Sequence, residues 1–135
     1  MEDVDIKGDL QNMSMIGDCT YDFLLCSHVL EHIPDDLKAM KEIYRMLKDG
    51  GRAIIMVPIV KKLNDIIEDP TMNDIALRWQ NFGQDDHIRL YSQKGLIERL
   101  SSVGFNVEKI MSSFIDTDLD RIGVDKDFVL YLGRK

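Results

Sequence analysis

Residues 21 to 58 carry a pattern that few folds accommodate. An apolar run, Tyr21 to Cys26, leads into a polar loop, a helix-spaced segment, the pair Gly50 and Gly51, and a second apolar run from Arg52 to Val57 closed by Pro58. Runs with so little polar character read as strands buried on both faces, as in parallel sheets. Between them, Pro34 suits the first helical position, and Asp35 and Asp36 suit the electropositive helix start. Leu37, Met40, Ile43, Tyr44 and Leu47 share one helical face. Lys48 complements the helix end, and Gly50 or Gly51 supplies a left-handed cap. The whole is a βαβ unit. Open α/β sheets bind ligands at the carboxyl ends of their strands, and here that end carries Ser27, His28, Glu31 and His32.

The flanking segments fit around this unit. Residues Val4 to Leu10 alternate and predict a short edge strand, and Gly17-Asp18 marks a turn. Leu63, Ile66 and Ile67 predict a short helix stopped near Pro70. Met72, Ile75, Trp79 and Phe82 predict another, with Thr71 and Asp74 as a capping box. Residues 60–87 thus read as a helical insertion over the end of the sheet, with Trp79 and Phe82 as core. Ser92 caps a helix over Gln93–Val103 whose apolar face is Leu96, Ile97, Leu100 and Val103. Gly104 ends it, and strands follow over Phe105–Met111 and Phe128–Leu132. The acidic connection Ser112–Asp127 includes Asp116, Asp118 and Asp120. A calcium loop is excluded there, because Arg121 stands where that loop needs glycine. One domain over residues 1–135 is expected.

Charge narrows the partners. With 17 basic and 24 acidic residues the net charge is −7, which repels nucleic-acid backbones and anionic membranes. The two cysteines, Cys19 and Cys26, form no CxxC or Cys/His ligand spacing, so no metal site is expected and the thiols read as free. Free thiols and an acidic start without a signal pattern place the chain in the cytoplasm.

Several motifs, taken in order, resemble one family. His28-Val29-Leu30-Glu31-His32, then Leu47 to Gly51, then His87, Arg89, Tyr91 and Ser92, then Gly104-Phe105, are similar to successive motifs of the class I S-adenosylmethionine-dependent methyltransferases of the type 11-like group. Gly8-Asp9-Leu10 resembles the same family's Asp-Leu step. The resemblance implies an α/β fold: a truncated Rossmann-like sheet, mostly parallel, with an antiparallel C-terminal strand and helices on both faces. It implies S-adenosylmethionine as cofactor and a small-molecule methyl acceptor. It places Asp9 and Leu10 at adenine, Ser27 and His28 at the methionine end, His28 and His32 as catalytic candidates, and His87, Arg89 and Tyr91 in a substrate pocket. None of the nine glycines forms the family's Gly-x-Gly cofactor loop, and the family's first two strands have no counterpart here. A second reading is therefore an inactive remnant serving as an interaction or dimerisation module. Either way the strand Tyr21–Cys26 would be left with an apolar edge. The expectation is that residues Val4–Leu10 pair there, or that a second copy or a partner chain covers it.

Overall fold

A computed structural model describes residues 5–111 and 129–135. The main sheet has four strands in the order β1 (Tyr21–Ser27), β2 (Leu47–Met56), β6 (Val129–Arg134) and β5 (Asn106–Met111). β1 and β2 are parallel, whereas β6 runs antiparallel to both β2 and β5. This is the expected mostly parallel, Rossmann-like sheet with its antiparallel C-terminal strand. Helix α1 (Asp36–Met46) connects β1 to β2, and α3 (Gln93–Val103) precedes β5.

Register explains which residues are core. Leu24 lies opposite Ala53, Cys26 opposite Ile55, and Ile55 in turn opposite Tyr131, so these side chains share one face. That face packs on Ala39, Met40 and Ile43 of α1 and on Leu96 and Leu100 of α3. α1 and α3 also pack on each other. The helix contacts that define this core thus lie on one face of the sheet. Phe23 and Leu25, which point the other way along β1, are 52% and 62% exposed. The expectation that Tyr21–Cys26 is buried on both faces is therefore corrected, because among the described residues nothing covers that side of the strand.

Other local expectations change for physical reasons. No strand forms over residues 5–10. The only pairing there is the bridge Asp9–Asn12, so this segment does not close the edge of β1. α1 is capped by the Asp35 carboxylate, which accepts from Lys38 N at 2.9 Å. The helix stops at Met46, earlier than its apolar spacing suggests, since Leu47 is already extended and enters β2. Gly50 is not a helix cap. It sits within β2 with φ of 77°, a left-handed conformation that glycine adopts at no steric cost.

In the insertion, only one of two expected helices forms. Ile67–Glu68 is instead a short strand, β3, antiparallel to β4 (Arg89–Leu90). Helix α2 (Ile75–Phe82) is capped by Asp74, which accepts from Ala76 N and Leu77 N, while Thr71 bonds to Asp69. Phe82 is buried as expected, but Trp79 is 57% exposed and does not serve as core. α3 forms over its expected span, with Ser92 Oγ accepting from Gly95 N at 3.0 Å. The acidic connection Ser112–Asp127 lies outside the described residues.

Packing around Gly133 is tight. It sits between Ala53 of β2 and Val107 of β5, and a Cβ there would lie 2.7 Å from Phe105 Cδ1. Phe105 is 3% exposed and edge-stacked on Tyr44. Gly133→Ala is therefore expected to cost about 1–3 kcal/mol through overpacking, read as a lower urea midpoint with an unchanged slope.

Candidate functional site at the carboxyl edge of the sheet

The chain leaves β1 at Ser27 and turns sharply. His28 has φ of 53°, in the left-handed region where histidine is among the less disfavoured residues. Its backbone N–H donates to Met56 O at 2.9 Å, fixing the turn to the end of β2. A non-glycine residue held so costs on the order of 1–3 kcal/mol, a strain that clusters at ligand sites. His28 borders a cleft of about 250 Å³ lined also by Met56, Val57, Ile59, Gln93 and Tyr131. This is the carboxyl edge of the parallel pair, where the fold rule puts ligands. The cleft lies slightly below the range usual for small-molecule pockets.

Behind His28 runs a short 3-10 turn, Leu30–His32, which buries Glu31 to 1% exposure. Glu31 Oε1 is 3.4 Å from His28 Nδ1 and 3.8 Å from His32 Nε2. Neither carboxylate oxygen has a hydrogen-bond partner among the described residues. His32 turns its Nδ1 to Asp86, 3.3 Å from both the backbone oxygen and the carboxylate. His87, 6% exposed, sets its ring edge-on to His32 at 4.8 Å. Cys26 lies beneath. Burial, and then the nearby Glu31 charge, push its thiol up to about 12, so it stays protonated and unreactive at neutral pH.

The remaining sequence candidates fall elsewhere. Arg89 and Tyr91 are 2% and 0% exposed and do not line the cleft. The placement of these two residues in a substrate pocket is corrected to an internal role. The Arg89 guanidinium donates to the carbonyls of Leu30, Ile33 and Pro34 and to Glu68. Tyr91 donates to the Asp36 carboxylate, which also accepts from Arg99. Burial, then the Asp36 charge, raise the Tyr91 hydroxyl well above its ordinary value. In Glu68, burial pushes the carboxyl up, but hydrogen bonds from Arg99 and Arg89 outweigh it and hold it below its ordinary value. This network pins residues 30–36 against the insertion and so fixes where Glu31 and His32 sit.

Asp9 is exposed, and its carboxylate accepts from Gln11 N at 2.9 Å and Gln11 Nε2 at 3.1 Å. The backbone bond first, then the side-chain bond, hold it below the usual carboxylate range. Neither Asp9 nor Leu10 lines the cleft. Sequence reasoning therefore brought Ser27, His28 and His32 to one edge. It gave Glu31 no role of its own, although a lone carboxylate among Val29, Leu30 and Ile33 was a signal for a buried charge.

Among the described residues, the cleft edge provides only part of a site for such a cofactor. The Gly50-Gly51 pair belongs to a separate depression, with Asp22, Phe23 and Asp49, at the amino end of β2 and so opposite the cleft. The cleft side offers the Ser27–His28 turn alone, which suits one end of such a molecule.

Comparison with known proteins bears on this arrangement. A family model described as a methyltransferase domain matches residues 3–110. A protein of Encephalitozoon cuniculi named as a methyltransferase is 29% identical over 111 residues, covering 76% of this chain and 52% of that protein. A Thermotoga maritima S-adenosylmethionine-dependent methyltransferase structure superposes with TM-score 0.59 at 20% identity, covering 96% of this chain and 63% of that one. A chain from the complex between the Haloferax volcanii Trm112 methyltransferase activator and a methyltransferase gives TM-score 0.62 at 19% identity, covering 98% and 63%. At these identities the structural likenesses show the fold alone. The chain spans about half the length of the curated relative it matches.

Proposed function

The chain belongs to the class I S-adenosylmethionine-dependent methyltransferase family, and from that premise we propose that it serves methyl transfer to a small-molecule acceptor at the cleft beside His28. The observation that supports this most is His28 itself: a non-glycine residue held left-handed at the carboxyl edge and bordering the cleft. When bound, the cofactor would supply a methyl group on a sulfonium, and the protein's share of such a displacement is mainly proximity and orientation. In this reading the Ser27–His28 turn borders the cofactor's methionine end. The largely apolar cleft wall of Met56, Val57 and Ile59 orients the acceptor and excludes water. The Glu31 carboxylate beside Nδ1 favours the tautomer that carries a proton there. Nε2 is then free to take a proton from an oxygen or nitrogen acceptor. His32, bonded to Asp86, supports the turn. The reading includes a second copy or partner chain on the open edge of β1, and a cytoplasmic setting. Among the described residues no helix is long and apolar enough to cross a membrane.

The test is calorimetric titration with S-adenosylhomocysteine. The expected result is saturable one-site binding, weakened at least about tenfold, or about 1.4 kcal/mol, by Val57→Trp, which fills the cleft. Absence of any heat at millimolar ligand would overturn cofactor binding by this chain.

A further inference from the structure

We propose that Glu31, His32 and His87 form a binding site for a divalent first-row metal ion, zinc being the one this donor set favours. One oxygen of Glu31 and one ring nitrogen from each histidine lie within 4.8 Å of one another. Donors around one tetrahedral zinc stand roughly 3.3 Å apart, given metal–ligand bonds of about 2.0–2.2 Å. The 3.8 Å between Glu31 Oε1 and His32 Nε2 closes with small side-chain rotations. Two imidazoles and a carboxylate are a recurrent set for zinc and its neighbours, and a poor one for the harder magnesium or calcium.

Two observations point to a cation here, and a third shows that the site is held in place. First, Glu31 is 1% exposed and both its oxygens lack a hydrogen-bond partner among the described residues. Buried carboxylates without partners carry a large electrostatic penalty, and such groups are paired or bind metals. Second, the ligand geometry is prepared from outside. His32 directs Nδ1 to the Asp86 oxygens and leaves Nε2 toward Glu31. Metal-bound histidines characteristically use their other nitrogen in this way, which fixes tautomer and ring orientation. Third, the site is held by a rigid frame. Ile88 N donates to Glu31 O at 3.1 Å, and Arg89 ties down Leu30, Ile33 and Pro34 on either side. Exposed His28 lies 3.4 Å from Glu31 Oε1 and is not counted among the ligands.

This proposal departs from the expectation of no metal site, which rested on the absence of cysteine ligand spacing. The ligands come instead from residues 31 and 32 and from position 87, brought together by the antiparallel β3–β4 pairing and the Arg89 network. It shares Glu31 and His32 with the methyl-transfer reading, but its test is separate, since its readout is metal affinity with no cofactor or acceptor present.

The experiment strips the full chain with a chelator and titrates it with zinc, and in parallel with cobalt. The expected result is one ion per chain at micromolar affinity or tighter. The affinity should fall at least about tenfold in Glu31→Gln, which keeps side-chain volume, and in His87→Phe, which keeps a planar ring but no ligand nitrogen. Far-UV circular dichroism identifies any variant that fails to fold, and the cobalt spectrum of the unaltered chain then decides the matter independently. It should show nitrogen and oxygen ligands, without a sulfur-to-metal band. Failure of the stripped chain to bind either metal would overturn the proposal. So would affinity unchanged in both folded variants, or a sulfur band placing the ion at exposed Cys19.

Discussion

Arg89→Ala is expected to destabilise the chain by about 3–5 kcal/mol, the range found when one partner of a buried charged network is removed. The midpoint of thermal unfolding should fall by on the order of 10 °C or more. The guanidinium is 2% exposed and donates at 2.7 Å to Leu30 O, at 2.9 Å to Pro34 O, at 2.9 Å to Glu68 and also to Ile33 O. Truncation strands three carbonyls and leaves the Asp36 and Glu68 carboxylates with Arg99 as their remaining arginine partner. Each buried acceptor left unmade costs about 1–3 kcal/mol, softened where water enters. Arg89→Lys separates geometry from charge. An ammonium keeps the positive charge but cannot fork across three carbonyls, so it should recover only part of the loss. Full recovery by lysine in a thermal melt would show that charge alone matters, and an alanine variant within 0.5 kcal/mol of the original, the usual range for surface changes, would refute the pinning role.

That network also shows what the sequence could and could not convey. The βαβ core was legible because period and composition are local. Five apolar residues in a run of six, an amphipathic turn-by-turn spacing and two glycines sufficed to place β1, α1 and β2. Ser92 was legible as a cap because Oγ bonds to a backbone N–H only three residues on. The roles of Arg89 and Tyr91 were not legible. Their carbonyl and Asp36 partners lie 55 to 59 residues earlier, and nothing in a His-x-Arg-x-Tyr spacing says whether such side chains face a ligand or a carbonyl. β3 was missed for a related reason. Ile66 and Ile67 fit a helix locally, but β4 offers Ile67 and Glu68 a pairing that outweighs a short helix next to Pro70. The candidate site was half legible. Position at a strand's carboxyl end selected His28 and His32, whereas the burial of Glu31 and its approach to His87 depend on tertiary packing.

The second large effect concerns association. Among the described residues β1 is the terminal strand of its sheet, hydrogen-bonded to β2 on one side, and residues 5–10 form no partner strand. A strand in this position presents a row of unpaired N–H and C=O groups, and Phe23 and Leu25 add an exposed apolar surface beside Ile54. Natural edge strands guard against pairing with charge, especially lysine. β1 carries its one acidic guard, Asp22, at the start of the strand, where Lys48 already pairs with it at 2.7 Å. The isolated chain is therefore expected to self-associate at protein concentrations of about 10–100 µM, within the range where open edges become adhesive. Leu25→Lys should shift it to a monomer in sedimentation velocity. Because Leu25 is 62% exposed, the same change should leave folding stability within about 0.5 kcal/mol, so that a loss of association cannot be ascribed to unfolding. A monomeric original chain at the upper concentration would contradict the expectation directly. Association that persists unchanged in Leu25→Lys would move the contact away from β1, with the exposed face of α2, carrying Ile75 and Trp79, as the surface to substitute next.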